Sequence, residues 1–185
     1  MSEKILQGPA EEQSICVKCG LCCDATLFHH AQLNPGERGR LPEKIEQNSF
    51  SDDGKDYFLQ PCQYFSRKCT IYDQPRADVC FSFRCRLLKD VAEGNISMDE
   101  AMKIVSEAIT MRNALLEDFR RISGEDTDIY FRKLLIVLGK KWMPDNDDGP
   151  VSPDYEILQA RCNIFEALLV KYFRSTEDFE KLIMS

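Results

Sequence analysis

The sequence predicts a mainly α fold in two parts. A loop-rich, cysteine-dense region over residues 1–95 is followed by a small antiparallel helical bundle over residues 96–185, the two packed as one compact unit. Three observations carry this. Eight of the nine cysteines fall between positions 16 and 85. Residues 31–60 are polar and crowded with turn formers. Beyond Arg84, apolar residues recur at the three- and four-residue spacing of amphipathic helices. A chain of 185 residues with 43% hydrophobic content can bury a real core, so global disorder is not expected.

The opening segment, "MSEKILQGPAEEQ", has no apolar core and does not read as a secretory signal. The longest apolar run, "LLIVL" at 134–138, is far too short to span a bilayer, so no membrane association is expected. In the loop-rich part, "NPGERG" and "SDDGKD" are strong turn signals, and a hairpin around Asp53-Gly54 would join "NSF" to "DYFL". Helical patterning is expected to begin only near Arg84. There "RCRLLKDVAEG" reads as a short helix closed by Gly94.

The next helix opens on a capping box, Ser97 with Glu100 three residues on. Its apolar face is Ala101, Ile104, Val105, Ala108, Met111, Leu115, Phe119 and Ile122, and Gly124 is its stop. "TDIYFRKLLIVLGKKW" follows as a third helix capped by Asp126 or Thr127. "MPDNDDGPVSP" is a loop, and Ser152-Pro153 starts a fourth helix that runs to about Phe173, with Pro at its first position. "STEDFEKLIM" would add a last turn or two.

Charge narrows the function. The net charge of −7 and pI near 5 argue against a nucleic-acid binder, which would carry a basic stripe. Residues 1–90 hold 12 basic and 13 acidic side chains, so the cysteine half is nearly neutral. The expected location is the cytoplasm, where closely spaced cysteines bind metal more often than they form bridges. An odd number of cysteines also sits badly with a closed disulfide framework.

The chemistry concentrates in "CVKCGLCCDATLF", which places Cys16, Cys19, Cys22 and Cys23 within eight positions. Cys16-Val17-Lys18-Cys19-Gly20 has the shape of a metal knuckle, in which a tight turn aims two sulfurs at one centre and Gly20 supplies a positive φ. Cys22 extends it to the C-x2-C-x2-C run that begins iron–sulfur binding in bacterial-type ferredoxins. The fourth cysteine of that run is missing, and Cys62, Cys69, Cys80 and Cys85 are candidates to replace it.

On a regular helix Cys80 and Cys85 would point about 140° apart, which places "CFSFRC" in an irregular turn leading into the helix. Adjacent side chains of extended backbone diverge, so Cys22 and Cys23 are not expected to serve one ion. One should enter the main centre and the other turn towards the Cys62–Cys85 segment or the core.

Thiolates suit both zinc and iron–sulfur clusters. The tight triple run favours one [4Fe–4S]-type cluster held by Cys16, Cys19, Cys22 or Cys23, and a distal cysteine. Aromatics near the cysteines (Phe28, Phe58, Tyr64, Phe65, Tyr72, Phe81 and Phe83) could form a dry shell, or simply be core. Lys18, Arg67, Lys68, Arg76, Arg84 and Arg86 could offset cluster charge, or simply be surface. The alternative is a closed structural Zn2+ site, with the helical bundle as the surface for a protein partner.

"CVKCGLCC" followed by "PCQYFSRKCTIYDQPRADVCFSFRC" resembles the CxxCxxCC cysteine-cluster family, the YkgJ-type proteins described as zinc- or iron-chelating. Cys16, Cys19, Gly20, Cys22, Cys23, Pro61, Cys62, Cys69, Ile71, Tyr72, Cys80, Phe83 and Cys85 match that pattern. Pro75-Arg76 departs from it, standing where an Arg-Pro pair is usual. The resemblance covers residues 16–90 and implies a metal site rather than a reaction. Some larger proteins similar in this region are linked to lysine methylation of flagellin, which makes a methyltransferase-related enzyme the third reading.

The remaining candidates have plainer readings. His29-His30 reads as a surface or outer-layer pair, and Cys162 as a small core residue of the fourth helix. "DNDDG" at 145–149 lacks the spacing and terminal Glu of a calcium loop, and Trp142 reads as a helix-end core residue. There is no G-x-G-x-x-G, phosphate-binding loop or G-x-S-x-G, so no catalytic fingerprint is present.

Overall fold

The computed structural model describes residues 10–124, 128–141 and 152–174. Helices make up about 54% of these, so the chain is mainly α. It divides into two compact units, Met1–Val105 and Ser106–Ser185.

The first unit contains helices where none were expected. Helix α1 spans Ala10–Cys19, and α2 spans Glu43–Gln47. The apolar spacing of "AEEQSICVKC" is poor, which hid α1 in the sequence. Tertiary contact supplies what propensity lacks: Ile15 is buried, and α1 packs on α4, Arg86–Ala92, whose Leu87 and Leu88 are also buried. Cys16 and Cys19 are therefore one turn apart on a helix rather than on a knuckle loop. Gly20 ends that helix at φ +64, its N–H reaching the Cys16 carbonyl at 3.3 Å.

A three-stranded antiparallel sheet follows, in the order β1 (His30–Gln32), β3 (Lys55–Leu59), β2 (Ser49–Asp52). The hairpin turns at Asp53-Gly54, both at positive φ, as a two-residue turn between strands of right-handed twist requires. A second, two-stranded ribbon pairs β4 (Phe65–Ser66) with β5 (Lys68–Cys69). One apolar cluster joins these pieces: Leu33, Ile45, Phe58, Ile71 and Ala77.

Helix α3, Val79–Ser82, stops at Phe83, which is extended, and Cys85 is extended too as it caps α4. The irregular turn expected for "CFSFRC" is thus confined to residues 83–85, because Cys80, Phe81 and Ser82 are helical. Gly94 closes α4 at φ +76.

Helix α5, Met98–Ser123, begins as its capping box predicts, the Glu100 N–H donating to Ser97 Oγ at 3.2 Å. It ends at Gly124 (φ +67). Ala101, Ile104, Val105, Ala108, Leu115 and Phe119 are buried, while Met111 and Ile122 are half-buried.

In the second unit, α6 (Phe131–Lys141) packs on α7 (Pro153–Tyr172). The Phe131 and Phe165 rings meet edge to face at 4.8 Å, and Leu134, Leu138, Leu158 and Leu169 are buried. Cys162 is fully buried, the core position the sequence suggests. The third helix, expected from a cap at Asp126 or Thr127, starts later, at Phe131, and residues 128–130 before it are not helical. Asp126, Thr127, Trp142, the acidic turn at 145–149 and the "STEDFEKLIM" turn lie outside the described residues. Among the described residues, no helix is long and apolar enough to cross a membrane.

Candidate metal centre

The eight cysteines reach one region of the first unit from five local structures. Cys16 and Cys19 lie on α1, and Cys22 and Cys23 on the turn after it. Cys62 precedes the β4–β5 ribbon, Cys69 ends it, Cys80 is on α3 and Cys85 caps α4.

Two backbone devices hold these segments together. The turn after α1 is tight, with the Cys23 and Asp24 N–H groups donating to the Gly20 carbonyl at 2.9 and 3.0 Å. The Cys62 N–H then donates to the Cys23 carbonyl at 2.8 Å, tying residues 39 positions apart. Gly20 has a second role beyond its φ. A Cβ there would come within 2.3 Å of the Phe65 ring, so only glycine lets the ribbon approach the turn this closely.

Cys16, Cys22, Cys23, Cys62, Cys69 and Cys80 line a single cavity of about 240 Å³. Its other walls are largely apolar and aromatic, including Phe28, Phe58, Phe65, Tyr72 and Phe83. Of the other expected aromatics, Tyr64 packs on the apolar cluster and Phe81 lies against Arg76.

Arg76 is the one expected basic residue on the cavity wall. Its guanidinium sits 4.0 Å from the Tyr72 ring centre and 4.2 Å from that of Phe81. Arg84 instead pairs with buried Glu12, and Arg86 with Asp90 at 3.5 Å. His30 also lines the cavity, its ring against Tyr57 and Phe50.

The sequence offered no hint of Gln60. It lines the cavity, is buried, and its Oε1 has no hydrogen-bond partner. Only its place two residues before Cys62 could have drawn notice.

Electrostatics set the protonation of the thiols. Burial pushes Cys22 and Cys23 well above the usual thiol range, and neighbouring thiols push them further. For Cys22 those neighbours are Cys19, Cys23, Cys85 and Cys16. For Cys23 they are Cys80, Cys16, Cys62 and Cys69. Cys80 is pushed up to about 12 by burial and by Cys62, against the lowering charge of Arg76. Burial also raises Cys16, Cys62 and Cys85.

Raised in this way, the thiols keep their protons at neutral pH, and any cation binding there would have to displace them. None of the nine cysteines is in a disulfide. Among the described residues, no three His, Cys, Asp or Glu side chains stand close enough together to hold one metal ion.

No family model, no curated protein and no solved structure matches the chain.

Proposed function

We propose that this chain is a cytoplasmic metal-binding protein whose first unit carries a cysteine-ligated iron–sulfur cluster, [4Fe–4S] in type, for redox or structural purposes. The observation that carries the reading is the shared cavity, on which six thiols from four separate stretches converge between aromatic walls. The tight C-x2-C-x2-C run of Cys16, Cys19 and Cys22 favours a cluster over a single zinc ion. A cluster spreads its ligands over separate irons, and its negative charge suits Arg76 on the wall. Membership of the CxxCxxCC cysteine-cluster family is part of the same proposal.

We read the second unit as a helical bundle that offers a surface to a protein partner. Ile136 on α6, and Ile157 and Ile164 on α7, are the exposed large apolar residues that support this. Nothing at the cavity resembles a catalytic constellation, and no enzymatic step is assigned.

Purification without oxygen tests the reading. Iron and acid-labile sulfide should accompany the protein, with broad visible absorption that bleaches on reduction. Stoichiometric zinc with no visible absorption would replace the cluster with a structural zinc module.

A further inference from the structure

We infer that the second unit binds a second copy of this chain, with the outer face of α7 packed antiparallel on its counterpart about a two-fold axis. The inference rests on the reading of this unit as a surface for a protein partner, and it names the partner.

Helix α7 is apolar on two sides. Leu158, Cys162, Phe165 and Leu169 form its buried side. On the opposite side Ile157, Ala160, Ile164 and Ala167 are all exposed, Ile157 at 60% and Ile164 at 62%. These four positions step by three, four and three residues, so they share one stripe along the helix. That is also the seam spacing of paired helices. A surface helix needs one apolar stripe to face its own core, and a second stripe calls for a second neighbour.

The symmetry of the stripe selects that neighbour. Ile157 and Ala167 stand five residues to either side of Cys162, and Ala160 and Ile164 stand two to either side. Two α7 helices laid antiparallel, with their Cys162 positions level, therefore set Ile157 over Ala167 of the second copy and Ile164 over its Ala160. Large meets small at every contact, so the helices can approach without a void. A parallel pair in register would oppose isoleucine to isoleucine and alanine to alanine. An interface about a two-fold axis must be self-complementary, and this stripe is so in the antiparallel sense alone.

Charge points the same way. The first turn of α7 carries Asp154 and Glu156, and the last turn carries Lys171. All three are exposed. Antiparallel pairing sets Lys171 of each copy beside the acidic first turn of the other, and it opposes the two helix dipoles. Parallel pairing would set like charges together. Arg161, at the margin of the stripe near the axis, is already paired with Asp118, so two uncompensated arginines do not meet there.

Sedimentation of the full-length protein across a wide concentration range tests the inference. Wild-type protein should pass from 21.3 kDa to twice that mass, with a concentration dependence that fits the small interface of one helix pair. Ile164→Lys should stay monomeric throughout, and its melting should be unchanged because the position is exposed. Lys171→Glu and Asp154→Lys should each weaken the dimer several-fold. Combined, they should restore it, because opposite charges again meet across the antiparallel pair. A combined variant no stronger than the single ones overturns the antiparallel arrangement. A dimer that survives Ile164→Lys overturns α7 as its seat.

Wild-type protein that stays monomeric overturns the pairing, and a soluble paramagnetic probe then tells what else falls. If the probe reaches the Ile157 and Ile164 methyl groups, only self-pairing is lost and the surface remains for a different protein. If those methyl groups are shielded in the monomer, the chain covers its own stripe, and the partner surface is lost as well.

Discussion

The two units bury their apolar residues by different means. The second has helices of 11 and 20 residues, with leucines at helical spacing around the Phe131–Phe165 contact. Long amphipathic helices need only each other. In the first unit the strands are two to five residues long, and the five-residue apolar cluster is flanked directly by Cys62, Cys69 and Cys80. Short elements make few ladder bonds, so the sheet region depends on what its small cluster is packed against, while Ile15, Leu21, Leu27, Leu87 and Leu88 are buried elsewhere in the same unit. The thiols stand where a larger domain would place more leucine. On the proposed reading, a cross-linking metal centre and a hydrophobic core are alternative solutions to one problem.

Metal removal should break this symmetry most strongly. In small metal modules the binding free energy is folding free energy, on the order of 10 kcal/mol. Chelation without oxygen should therefore abolish amide-exchange protection at Phe58, Cys62 and Cys69. Protection across Leu134–Leu138 and Leu158–Leu169 should persist. Equal loss in both units, or none in the first, would show that the first unit does not depend on its metal.

A smaller blow at one position should reproduce part of that effect. Gly20→Ala places a side chain at φ +64, which costs about 1–2 kcal/mol, and drives its Cβ into the Phe65 ring. The ring must move, and with it the ribbon between Cys62 and Cys69. Metal loading should fall while the unfolding of α6 and α7 is unchanged. Adding Phe65→Ala should make the pair less damaging than the sum of the two single changes, because the clash goes and only the φ cost remains. Strict additivity would mean that the close approach is not what Gly20 is for.

The same contrast explains what the sequence could reveal. The second unit and α5 were legible because their information is local: the Ser97–Glu100 box, the glycine stop and the 3.6-residue period all lie within one stretch of chain. Asp53-Gly54 was legible for the same reason. Helix α1 was not, because Ile15 earns its helix from α4, some 70 residues away. The cysteine list was readable from spacing alone. The approach of Phe65 to Gly20, the bond from Cys62 to Cys23 and the burial of Gln60 depend on tertiary placement, which spacing does not encode. Arg76 was one of six basic candidates, and only the fold singles it out, by setting it between Tyr72 and Phe81.

The smallest expected difference lies in the response to alkaline pH, and it turns on Cys162, the one cysteine outside the cluster. Burial pushes its thiol up to about 12, helped by the charge of Glu166 and opposed by Arg161. In the unfolded chain the same thiol titrates near 8.5. The folded state therefore keeps a proton that the unfolded chain surrenders. The stability this confers is fully present below about pH 8.5 and is lost as pH climbs towards about 12. Cys162→Ala removes that loss at the cost of a small core void, about 1 kcal/mol at neutral pH. The denaturation midpoint of α6 and α7 should then fall less between about pH 8 and pH 10 in the variant than in the wild type. Metal loading of the first unit should be unchanged, and should itself improve with pH, since thiolate ligands must shed their protons to bind. An equally steep alkaline fall in Cys162→Ala would place the pH sensitivity of the second unit in other groups.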